Sequence, residues 1–196
     1  MSKLETNTID TISGSTSLQI GSTNTSTITL GASGDSIVIP SGATITNNGT
    51  QSGFGGTNTP AFSAYISSNQ SIPTTTFTKI QFNTEVFDTD GTYDNSTNYR
   101  FTPGVAGKYY IFGNVYMNSL TDAKNFRLDI YKNGAEYVFG RNNSSKTGSS
   151  ISVNISFIDD ASASDYYEVF VYHDEGSNLN AASGRRTSFG ASKIIT

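Results

Sequence analysis

The residues best placed to do chemistry in this chain are carboxylates. Asp88-Thr89-Asp90-Gly91-Thr92-Tyr93-Asp94 sets three of them at i, i+2 and i+6, an oxygen-rich spacing that suits a hard cation. It is not an EF-hand loop, because the glycine falls too early and no glutamate follows at the closing position. The same run also suits a solvated turn, so Asp88, Asp90 and Asp94 stand as a candidate metal site against the reading that there is none. The single histidine, His173, precedes Asp174 and Glu175, and a His–carboxylate pair can serve acid–base chemistry. No nucleophile partners it. The chain has no cysteine, and Gly-x-Ser-x-Gly, Walker A and Gly-x-Gly-x-x-Gly patterns are missing. The expectation is a strand-end surface role for His173, no catalytic set, no enzyme activity and no cofactor. Asp159-Asp160 reads as an ordinary strand-to-turn exit.

Composition narrows the partners. Charged residues make up 14% of the 196 and aromatic residues 12%, which is too aromatic and too uncharged for a disordered chain. The net charge is −4, and the 12 lysines and arginines are scattered, so no electrostatic footprint for nucleic acid exists. No window approaches the roughly 18 consecutive apolar residues of a spanning helix, so no membrane insertion is expected. The opening Met1-Ser2-Lys3-Leu4-Glu5-Thr6 has no basic run leading into an apolar stretch. Work outside a cell would then follow release by lysis or assembly.

Four zones must position whatever function exists. Residues 1–17 are polar, with Leu4, Ile9 and Ile12 as their sizeable apolar side chains apart from Met1. Residues 18–50 carry a repeat: Leu18-x-Ile20-Gly21, Ile28-x-Leu30-Gly31 and Ile37-x-Ile39-Pro40. Apolar residues at i and i+2 share one face of a strand, and the glycine or proline then turns the chain. One pair per rung buries too little surface to offset the ordering entropy of the polar residues around it. The spacing therefore predicts a fibrous β-shaft in which several copies pool Leu18, Ile20, Ile28, Leu30, Ile37 and Ile39 in a shared core. Residues 51–60 form a Gly-rich hinge ending at Pro60.

From Ala61 onward the pattern is strand-like. Ile151, Val153, Ile155 and Phe157 alternate with Ser152, Asn154 and Ser156; Phe126, Leu128 and Ile130 alternate with Arg127 and Asp129; Thr78, Ile80 and Phe82 alternate with Lys79 and Gln81. Asp90-Gly91, Pro103-Gly104, Asn133-Gly134, Gly176-Ser177 and Ser183-Gly184 punctuate the runs. Short strands at turn spacing predict an all-β sandwich, a jelly roll. Two runs are apolar on both faces: Tyr110, Phe112 and Tyr116 oppose Tyr109, Ile111, Val115 and Met117, while Phe170 and Tyr172 oppose Tyr167, Val169 and Val171. A strand apolar on both sides expects cover on both sides. Neighbouring subunits in a closed ring of three would supply it, which makes Tyr110, Phe112, Tyr116, Phe170 and Tyr172 the expected homotrimer interface. The loops Asn118–Asn125, Arg141–Ser150 and His173–Arg186 are polar at their tips, where recognition evolves on a rigid sandwich.

Several landmarks carry a family likeness, in order: Ala61-Phe62-Ser63-Ala64, Ile80-Gln81-Phe82-Asn83, Asp90-Gly91-Thr92-Tyr93-Asp94, Phe101-Thr102-Pro103 with Gly107-Lys108-Tyr109-Tyr110-Ile111-Phe112, Tyr131-Lys132-Asn133-Gly134 and Thr187-Ser188-Phe189-Gly190-Ala191. Residues 61–196 resemble the C1q domain, the trimeric jelly roll of the C1q and tumour-necrosis-factor superfamily. Asn98-Tyr99-Arg100 departs from the family's small-residue and glycine pair at that point, so the loop there is expected to be remodelled. The rungs of residues 18–50 resemble segments of tail fibres and related appendages of bacterial viruses. No collagen-like Gly-x-y stalk precedes the domain.

Together these resemblances imply a homotrimeric virion fibre protein whose head binds a host-surface receptor or polysaccharide. Residues 1–17 would join it to other virion proteins. A capsid fibre or decoration protein is the alternative, followed by a secreted C1q-like binding module that is not viral.

Overall fold

The structure is a computed structural model, and it describes Ile20, residues 27–49 and residues 58–194. Residues 1–17, Leu18 and most of the hinge lie outside the described residues. The chain divides into two compact units, Met1–Gln51 and Ser52–Thr196.

In the first unit, residues 27–49 form no helix and no strand ladder. What repeats is the turn. Asp35 N–H donates to the Ala32 carbonyl at 3.0 Å, and Ala43 N–H to the Pro40 carbonyl at 3.1 Å. The third residue of each turn is a glycine at positive φ, Gly34 at 95° and Gly42 at 85°, the geometry that excludes most side chains there. The Asp35 carboxylate closes the first turn by accepting Ala32 N–H at 2.6 Å. Between and around these turns the apolar pairs are bare: Ile28, Leu30, Ile37 and Ile39 are 47%, 60%, 62% and 47% exposed.

In the second unit, alternation becomes ladders. The strands are β1 (Ala61–Ile66), β2 (Gln70–Ile72), β3 (Thr78–Lys79), β4 (Thr84–Asp88), β5 (Tyr93–Asp94), β6 (Arg100–Phe101) and β7 (Gly107–Leu120). They continue as β8 (Asn125–Lys132), β9 (Ala135–Asn143), β10 (Ser149–Ala161), β11 (Tyr167–His173), β12 (Leu179–Ala181) and β13 (Gly184–Lys193). One sheet runs β2-β12-β7-β13-β1-β4, with β10 on the free side of β7; the other runs β5-β6-β11-β8-β9, with β3 also on β11. Every pairing is antiparallel. The β8–β9 hairpin turns on Asn133-Gly134, both at positive φ (55° and 80°), as a two-residue turn between right-twisted strands requires.

The core sits between the sheets. Phe62 lies at its aromatic centre, stacked on Tyr93 at 4.6 Å and Phe101 at 4.9 Å, with Phe189 edge-on at 5.1 Å. On β7 the buried set is Tyr109, Ile111, Val115 and Met117, and on β11 it is Tyr167, Val169 and Val171. The opposite sides of these two strands diverge. Tyr110, Phe112 and Tyr116 belong to one sheet's outer face, while Phe170 and Tyr172 belong to the other sheet's. The residues grouped from sequence as one interface therefore occupy opposite sides of the sandwich. Phe170 and Tyr172 are half-covered by their own chain, through Tyr131 at 4.3 Å and Phe77 at 5.1 Å. Tyr110 is left 42% exposed.

Candidate functional site

Three regions can hold a partner or ligand: the outer face of β7 and its neighbours, the loop end, and the turn region between β4 and β6. The first is aromatic at its centre, with charges at its ends: Arg186 lies 5.5 Å from the Tyr116 ring centre, and Lys108 stands opposite Asp160 beyond Tyr110. Across β7, Tyr110, Phe112 and Tyr116 stand opposite Ile158, Ser156 and Ser152 of β10. On the other side Tyr110 and Phe112 stand opposite Ser192 and Gly190 of β13. None of these positions is charged. Phe112 lies directly over Gly190, where an added Cβ would come within 2.6 Å of its ring. Among the described residues β10 pairs with β7 alone, leaving its other edge open.

The opposite outer face is charged and internally tied. Arg127 Nε donates to both Asp129 oxygens at 2.9 and 3.0 Å, and its terminal nitrogen bonds Asp129 and Glu136. The guanidinium lies 3.9 Å from the Phe139 ring centre and 5.2 Å from that of Phe77. Burial pushes the Asp129 carboxyl up against the pull of Arg127. Lys79 meets Glu168 at 2.5 Å. These charges are consumed in holding the sheet together.

At the loop end, the tips named from sequence are stitched to each other. Ala123 N–H donates to the Ser144 carbonyl and Ser144 N–H to the Lys124 carbonyl, both at 2.9 Å. Asp174 accepts from the backbone and side-chain nitrogens of Asn125 at 2.8 and 2.7 Å, and Glu175 accepts Thr121 N–H at 2.9 Å. His173 anchors this end from inside. It is fully buried rather than on the surface, because β11 carries it inward in register with Phe126 of β8. Its Nε2–H donates to the Ile72 carbonyl at 3.0 Å while Nδ1 accepts Glu175 N–H at 3.3 Å. This corrects the surface role expected from sequence; both ring nitrogens are used structurally.

The Asp88–Asp94 run does not gather its carboxylates. Asp88 accepts Asp90 N–H, the Thr92 hydroxyl and Tyr93 N–H; Asp90 accepts the Thr89 hydroxyl. Asp94 takes five hydrogen bonds from Ser96, Thr97 and Asn98. Those bonds, led by the Thr97 N–H, hold its carboxyl well below the usual carboxylate range. Asp88 and Asp94 are spent on their own loop, Asp90 takes one bond through Oδ2, and among the described residues no three metal-ligating side chains converge.

Sequence reasoning passed over the carboxylate that links the two sheets. Asp159, taken for a turn exit, faces inward. It accepts from Lys132 Nζ at 2.7 Å, Tyr137 Oη at 2.9 Å and Tyr167 Oη at 2.5 Å. Lys132 also meets Asp165 at 3.0 Å. Burial raises the Asp159 pKa, but the three donors outweigh it and hold it below its ordinary value, while burial and Asp159 push the Tyr167 phenol up. The cluster ties β10 of one sheet to β8 and β11 of the other. The signal was the strict alternation from Ile151 to Phe157, which continued by one step puts Asp159 on the inner face.

No protein-family model matches the chain, and no curated protein matches it. Among solved structures, the globular domain of zebrafish complement 1qA protein matches with a TM-score of 0.51 at 18% identity. The match covers 69% of this chain and 96% of that one. The second unit thus has a C1q-like fold.

Proposed function

We propose that the protein is a homotrimeric fibre of a bacterial virus, with residues 18–50 as an intertwined β-shaft and the C1q-like unit as a head that binds a host-surface receptor or glycan. The observation that carries this reading is the bareness of the repeated apolar pairs. Ile28, Leu30, Ile37 and Ile39 recur around the Ser-Gly turns and stay about half or more exposed among the described residues. Burial of an aliphatic side chain is worth about 1.5–3 kcal/mol, so copies that pool these pairs gain what one copy lacks. The aromatic pair Tyr110 and Phe112, opposite uncharged residues of β10 and β13, supports a subunit contact in the head by the same reasoning.

Residues 1–17 then serve as the attachment to other virion proteins, since they lack the repeat. Three copies of a weak site on the head gain avidity against a repeating surface polymer. Register is poorly specified in Ser/Thr/Gly-rich strands, and a trimeric head beside them would set it. The reading is tested by the mass of the full chain in light scattering, by its presence in virions, and by binding of the purified head to host cells. A stable monomer, or a head that neither binds cells nor blocks infection, would overturn it.

A further inference from the structure

The second unit has an open cleft of about 470 Å³ lined by Asp90, Asp94, Asn98, Arg100, Thr102 and Gly104 among others. Its walls are preformed. Asp94 fixes the 94–98 loop, Thr102 N–H donates to the Thr92 carbonyl at 2.8 Å, and Gly104 N–H donates to the Ala163 carbonyl at 2.9 Å.

Arg100 is the unusual member. Its backbone registers with Asp94 on one side and Glu168 on the other. Its guanidinium nevertheless pairs with neither, and lies 4.5 Å from the centre of the Tyr166 ring. Tyr166 is itself held on the Asn133-Gly134 turn, through backbone and side-chain bonds to Asn133 at 3.0 and 2.9 Å. Among the described residues no acceptor takes any of the guanidinium's donors. A half-buried planar fork, oriented by a ring and free of partners, matches a carboxylate in bidentate geometry. On the same cleft, Asp90 Oδ1 and Asn98 Oδ1 accept no hydrogen bond among the described residues. These acceptors call for uncharged donors on the same ligand, which hydroxyl groups provide.

The geometry points to a binding site for an acidic sugar, a pyranose whose carboxylate sits on Arg100 and whose hydroxyls face Asp90 and Asn98. The carboxylates of Asp90 and Asp94 at the rim disfavour a dianionic phosphate. The inference deepens the proposed receptor reading and rests on it for its biological role, although the binding itself does not.

Saturation-transfer difference NMR on the full chain, with sodium glucuronate, glucose and inorganic phosphate as probes, tests it. Glucuronate is expected to give transfer, with glucose about tenfold weaker and phosphate failing to displace glucuronate at equal concentration. Arg100→Lys keeps the charge but loses the fork and is expected to weaken glucuronate about tenfold; Arg100→Ala is expected to abolish its signal. Equal signals from glucose and glucuronate in the unaltered chain overturn the site without recourse to any variant. Displacement by phosphate overturns the sugar assignment. If the head binds host cells while glucuronate is silent, this site falls and the receptor reading stands. If glucuronate binds through Arg100 while the head binds no cell, the receptor reading falls and the site stands.

Discussion

Phe112 roofs Gly190: a Cβ built on that glycine would lie 2.6 Å from two ring carbons of Phe112 and 2.9 Å from the Phe62 carbonyl oxygen. The ring can swing, but the carbonyl belongs to β1, which is paired to β13 at that position. Gly190→Ala is therefore expected to cost about 1–3 kcal/mol by overpacking, read as a lower urea midpoint. An unchanged midpoint would mean that the two strands separate without penalty.

Phe112 also tests the subunit contact. Its ring lies 6.2 Å from that of Tyr110, and aromatic side chains bury roughly 150–250 Å² each. Phe112→Asp is expected to convert the proposed trimer to monomers in light scattering while the circular dichroism spectrum stays β-rich. A variant that remains trimeric would move the contact elsewhere.

Asp159 holds the two sheets together through Lys132, Tyr137 and Tyr167. Asp159→Ala leaves the Tyr137 and Tyr167 phenols without this acceptor and Lys132 with Asp165 alone, and is expected to cost about 1–3 kcal/mol. The pH dependence has a definite sign. Asp159 and Asp165 both titrate below their ordinary value when folded, so the unfolded chain binds their protons first. Their stabilisation is present above the unfolded carboxylate pKa and is lost as pH falls through the folded one. Thermal melts should thus drop on acidification below about pH 4, and the drop should shrink in Asp159→Ala.

Asp94 distinguishes a loop brace from a metal ligand. Asp94→Ala removes five acceptor contacts and is expected to lower stability by about 1–2 kcal/mol. Added calcium should leave the melting temperature of the unaltered chain where it was. A calcium-dependent rise that vanished in Asp94→Ala would restore the cation reading.

The strands and turns of the second unit were legible in the sequence because each rests on local chemistry. The glycines of Asp90-Gly91, Pro103-Gly104, Asn133-Gly134, Gly176-Ser177 and Ser183-Gly184 all adopt positive φ, a conformation other residues resist. Alternation correctly placed Ile80 and Phe82 in the core, even though the ladder there is confined to Thr78–Lys79. Burial follows from side-chain polarity at period two whether or not every backbone group pairs.

What the sequence by itself determined, then, is the period, the turns and the inward face of the cleanly alternating strands, since these depend on neighbours within a few residues. Only the tertiary structure decided which strands meet. It sent Phe112 and Phe170 to opposite faces, drew His173 inward to Ile72, and set Asp159 on Lys132 and Tyr167. It also left Arg100 on Tyr166 rather than on either acidic neighbour. The contacts of His173 with Ile72, Asp159 with Lys132 and Arg100 with Tyr166 join residues tens of positions apart, and the partner of a buried polar group is selected by sheet order and register, which no local pattern encodes.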